Sequence, residues 1–63
     1  MQAYNVVNFL SPSNKFRFSQ YHCMTVPQIG DKVVINGGKY IVVDRLFEAD
    51  IDEWNVMLDD GVA

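Results

Sequence analysis

Gly30-Asp31-Lys32-Val33-Val34-Ile35-Asn36-Gly37-Gly38-Lys39-Tyr40-Ile41-Val42-Val43 reads as two β-strands joined by a tight turn at Asn36-Gly37-Gly38. Asn-Gly and Gly-Gly supply the positive φ angles that hairpin turns need, and β-branched and aromatic residues flank them on both sides. With an even loop, Val33, Ile35, Tyr40 and Val42 share one face. Lys32, Val34, Ile41, Val43, Arg45 and Phe47 then share the other. A three-residue loop shifts the pairing by one and changes the partners.

Outward from this hairpin the chain keeps a two-residue rhythm. Towards the C-terminus, Ala49–Asp52 is a short acidic loop. Glu53–Asp59 alternates again, with Trp54, Val56 and Leu58 on one face and Asn55, Met57 and Asp59 on the other. Towards the N-terminus, Thr25–Gly30 is a connector, since Pro27 and Gly30 break any ladder there. Ala3–Leu10 and Asn14–His22 read as strands of a second hairpin, turned at Ser11-Pro12-Ser13-Asn14. In the second of these, Phe16 and Phe18 lie on one face and Lys15 and Arg17 on the other. No segment holds a helical period. The expected architecture is all-β: one domain over residues 1–63, a small antiparallel five-stranded barrel or curled sheet. Its predicted core is Val33, Ile35, Tyr40, Val42, Trp54, Val56 and Leu58.

At 63 residues and 49% apolar composition the chain is globular and holds one economical core. Cys23 is the only cysteine, so no disulfide forms within the chain, which suits a reducing cytoplasm. No basic stretch leads into an apolar run at the start, and no apolar run approaches a membrane span. A cytoplasmic protein without a membrane partner is expected. The net charge of −3 is unevenly spread: all eight acids lie in residues 31–63. An acidic balance disfavours duplex nucleic acid, whose affinity comes from cations releasing counterions.

The strand–turn–strand Gly30-Asp31-x-Val33-x-Ile35-x-Gly37-x-x-Tyr40-x-Val42 resembles that of SH3-like barrels, including small phage and prophage accessory proteins. The resemblance covers about a quarter of the chain and carries no functional residues over. It implies an SH3-like barrel that occupies, or inhibits, a host protein in the host cytoplasm. Nucleic-acid modules of the KOW type also begin Gly-Asp-x-Val. Their later glycine-rich basic portion is replaced here by Tyr40-Ile-Val-Val-Asp44.

Chemistry-bearing clusters are few. Nucleophilic catalysis needs a nucleophile and an oriented base within reach. His22 and Cys23 are strand neighbours that point to opposite faces, so no enzyme is expected. Zinc wants four N or S ligands, and the chain has one Cys and one His. Glu48-Ala-Asp50-Ile-Asp52 imitates a calcium loop, but the sixth and twelfth positions hold Glu53 and Asp59 instead of glycine and glutamate. No metal or cofactor is expected. Gly37-Gly38 precedes no helix, so it cradles no phosphate.

Two binding features remain. Asn14–His22 interleaves rings with Lys15 and Arg17, which single-stranded nucleic acid could use. The central hairpin is apolar on both faces near its turn. One set must be covered by a fold-back of the N-terminal hairpin, by a second copy of the chain, or by a partner. The expected partner surface is Val34, Ile41, Val43 and Phe47, rimmed by Glu48, Asp50, Asp52 and Glu53. The expected function is protein binding, with single-stranded nucleic-acid binding and a homo-oligomeric structural role as alternatives.

Overall fold

A computed structural model describes residues 4–11 and 19–60 of the chain. Five strands follow in order: β1 Asn5–Leu10, β2 Ser19–Cys23, β3 Lys32–Ile35, β4 Gly38–Glu48 and β5 Glu53–Asp60. They form one sheet in the order β2-β1-β5-β4-β3, curled into a half-barrel. The all-β expectation holds. No helix occurs among the described residues, so none is long and apolar enough to cross a membrane.

The central hairpin turns on two residues. Asn36 (φ 51°) and Gly37 (φ 82°) both lie in the left-handed region, which is the type I′ pattern. Lys32 therefore pairs with Ile41, Val33 with Tyr40, Val34 with Lys39 and Ile35 with Gly38. The loop is even, as one of the two predicted registers requires. Gly30 (φ 96°) then bends the connector into the ladder, where its N–H reaches Val42 O at 2.8 Å.

The sheet is mixed, which corrects the purely antiparallel expectation. β1 runs parallel to β5, with Val7 opposite Trp54 and Phe9 opposite Val56. Every other pairing is antiparallel. Parallel neighbours need a crossover, and here β2, β3 and β4 provide it in place of the usual helix. The pairing sets Val7 and Phe9 on the same face as Trp54, Val56 and Leu58.

That face is the core. Val7, Phe9, Ile35, Val42, Val56 and Leu58 are buried, and Cys23, Val26, Val33, Tyr40 and Trp54 pack around them partly exposed. Of the predicted core, Ile35, Val42, Val56 and Leu58 are buried, whereas Val33, Tyr40 and Trp54 are half-buried. Val7 and Phe9 complete the core from β1.

A second correction concerns β4. Val42 pairs with Leu58 but Asp44 pairs with Met57, so Val43 is an extra residue in a β-bulge. The bulge advances the alternation by one. Arg45 and Phe47 come to stand opposite Val56 and Trp54 on the inner face, not beside Val34 and Ile41 on the outer one. A sequence reading that keeps a strict two-residue period through 38–48 misplaces both side chains.

β2 covers only the end of the predicted strand 14–22. The expectations for Pro12 to Phe18, with Lys15, Arg17, Phe16 and Phe18, lie outside the described residues.

Candidate functional site

The eight residues expected to form one patch are distributed over four places. Val34 and Ile41 lie diagonally on the outer face of β3 and β4, with Lys32 and Lys39 as their cross-strand partners. Val43 is the exposed bulge residue. Phe47 is on the inner face, its ring 5.0 Å from that of Trp54. Arg45 lies over the same Trp54 ring at 4.4 Å, and its Nη1 donates to Pro27 O at 3.3 Å. That stack of cation on ring ties the 24–31 connector to the inner face.

The acids are at the far end of β4. Seven residues separate Ile41 from Glu48, which at about 3.3 Å per residue is about 23 Å. Glu48 and Glu53 face each other at the ends of β4 and β5, and Asp50 and Asp52 occupy the turn between them. Asp52 takes a positive φ of 57° to close that turn.

Glu48 and Glu53 are not bare. Like charges directly opposite on two strands destabilise a sheet. Here a row of amides crosses the outer face to meet them. Gln20 Nε2 donates to Asn8 Oδ1 at 2.9 Å. Asn8 Nδ2 donates to Asn55 Oδ1 at 3.2 Å and to Glu53 Oε1 at 3.0 Å. Asn55 Nδ2 donates to Glu48 Oε1. Carboxylates only accept, so they orient every amide in the row with its NH2 group towards the β4–β5 turn. Sequence reasoning missed this row. The alternation places Asn55 only on the face away from Trp54, Val56 and Leu58 and gives Asn8 no face, and only the parallel β1–β5 register makes them opposite partners.

The structure also shows a place where apolar groups converge without filling the space. β2 and β3 are the two edges of the sheet and have no further strand neighbour among the described residues. Between them lies an open cleft of about 310 Å³ lined by Phe9, Tyr21, Cys23, Pro27, Val33, Val34 and Ile35. Tyr21 meets Phe9 edge-on at 5.7 Å. A second groove of about 360 Å³ adjoins it, sharing Pro27 and Val33 and reaching Gln28, Asp31 and Lys32. Together the two follow the inner side of β3.

Cys23 borders the cleft, half-buried, and burial pushes its thiol pKa up. A thiol held in its neutral form is a poor nucleophile. His22 pairs with Val6 and is exposed on the opposite face from Cys23. Among the described residues no three His, Cys, Asp or Glu side chains converge as a metal ion would require.

No known protein family, curated protein or solved structure matches the chain.

Proposed function

We propose that the chain is a non-enzymatic binding protein that engages another protein through the open seam of its half-barrel. The observation that carries this reading is the apolar cleft between β2 and β3. A sheet that curls but does not close leaves Phe9, Tyr21, Val33 and Ile35 bordering a gap. Val34, which borders the same cleft, is 68% exposed. Apolar surface left open in this way is what interfaces use. In this reading the chain acts as the SH3-like accessory proteins it resembles act, by occupying a partner's surface. The earlier patch contributes Val34 and Ile41. Glu48 and Glu53 serve the sheet's own amide row, and Asp50 and Asp52 keep the free protein in solution and steer approach.

The test is site-specific photo-cross-linking in the source cell. A benzophenone side chain at Val34 should capture one protein, and the same group at Leu46, equally exposed on the outer face at 62%, should not. Equal capture at both positions, or none at Val34, would overturn the reading.

A further inference from the structure

Among the described residues β3 is an edge strand, and which of its peptide groups face away from β4 can be read from its ladder. Val42 N–H donates to Asp31 O at 2.9 Å, so the paired positions of this strand are Asp31, Val33 and Ile35. The peptide groups of Lys32 and Val34 therefore point away from β4, towards the open seam. Natural edges of this kind are usually blunted by charge, proline or cover. This one carries a single charge, Lys32, in Lys32-Val33-Val34-Ile35.

The two sides of that edge differ chemically. On the inner side run the two joined grooves, apolar along Phe9, Tyr21, Cys23 and Val33. Lys32 and Val34 alternate to the outer side, where their side chains also border the grooves at the edge, with Lys39 and Ile41 one strand further in. Asp59 stands opposite Ile41 on β5, two strands in from the edge. A segment added to β3 would send alternate side chains into the groove and towards the lysines.

We infer that β3 accepts an extended segment of the partner protein by strand addition, and that this segment alternates apolar residues with Asp or Glu. The apolar residues fill the groove and the acids face Lys32 and Lys39. This rests on the reading of the seam as a protein-binding site and adds its mode and its specificity. Backbone bonds to Lys32 and Val34 supply register, and the pockets on either side supply selection. The described strands of a second copy that carry acids among apolar residues, β4 and β5, are already paired on both edges and do not serve as the added segment.

The experiment uses synthetic peptides of about seven residues and the isotope-labelled protein. One peptide alternates Glu with Leu, Val and Phe. A second replaces each Glu by Lys. A third is the acidic peptide N-methylated at the residues that would bond to β3. The acidic peptide should shift the backbone amides of Lys32 and Val34, slow their hydrogen exchange, and protect Cys23 from iodoacetamide. The lysine and N-methylated peptides should do none of these. Lys32→Glu with Lys39→Glu should weaken the acidic peptide by about tenfold, a loss that grows smaller as salt rises. Equal response to acidic and basic peptides would overturn the charge selection. Shifts centred on Phe47 and Trp54 would overturn the location, and undiminished binding of the N-methylated peptide would overturn strand addition. A protein captured at Val34 in cells, with no response to any peptide, would retain the seam as a binding site and overturn this mode alone. Failure of both would overturn both.

Discussion

Asn8 has 3% of its surface exposed in the middle of β1, yet both its N–H groups and its carbonyl oxygen are bonded. Buried amides are tolerated only on those terms, because an unsatisfied donor costs about 1–3 kcal/mol. Truncating Asn8 strands Gln20 on one side and leaves Glu53 and Asn55 each without a donor on the other. Asn8→Ala should therefore destabilise by about 1–3 kcal/mol, read as a lower urea midpoint, although it removes little apolar contact. Cys23 makes the opposite case. Burial raises its pKa, so the folded protein holds the proton where the unfolded chain releases it. The sign follows from linkage: stability from this residue is complete below the ordinary thiol value of 9.0 and is lost as pH rises through the higher folded value. Parent and Cys23→Ala should show urea midpoints that converge as pH is raised from 7 towards 10. A constant difference would mean that the thiol titrates alike in both states.

At the scale of the element, β4 is where local pattern and structure part. Its eleven residues would alternate cleanly if Val43 were absent. Removing that residue leaves Val42 opposite Leu58, Asp44 opposite Met57 and Arg45 opposite Val56, as they already stand. Deletion of Val43 should thus preserve the Arg45–Trp54 and Phe47–Trp54 contacts, seen as unchanged tryptophan fluorescence. Deletion of Leu46 should turn Phe47 outward and lose that environment, since a one-residue slip moves side chains to the other face. If both deletions behaved alike, the bulge would not be what sets the faces. The turns at either end of β4 obey their own chemistry. Asn36-Gly37 closes one by type I′ geometry and Asp52 closes the other with a positive φ.

For the whole molecule, size sets the margin. At roughly 0.05–0.15 kcal/mol per residue, a chain of 63 residues is stable by roughly 3–9 kcal/mol. Leu58 is fully buried beside Val7, Val42 and Val56. Leu58→Ala should cost about 2–5 kcal/mol through lost transfer energy and a cavity, a large part of that margin. Urea melts followed by circular dichroism should show a midpoint well below the parent's. A midpoint equal to the parent's would contradict the core assignment. The seam is a whole-molecule property too. Closing a barrel needs strand number, tilt and stagger to agree, and this sheet stops with β2 and β3 apart.

Short-range chemistry was readable from residue order alone. The turn within 36–38, the connector at Pro27 and Gly30, and the inward set Trp54, Val56 and Leu58 each depend on neighbours a few positions away, whereas the choice of a two-residue loop came only from the strand pairing. The burial of Val7, Phe9 and Asn8 depends on β5, more than forty residues further along the chain. No local pattern specifies whether two distant strands meet in parallel or antiparallel fashion, because both use the same alternation. That single long-range choice assembled the amide row, completed the core from β1, and left β2 and β3 as edges with an apolar cleft between them. The bulge at Val43 separated Phe47 from Val34 and Ile41 for a related reason. An extra residue is invisible in one strand and is defined only by the partner it fails to match.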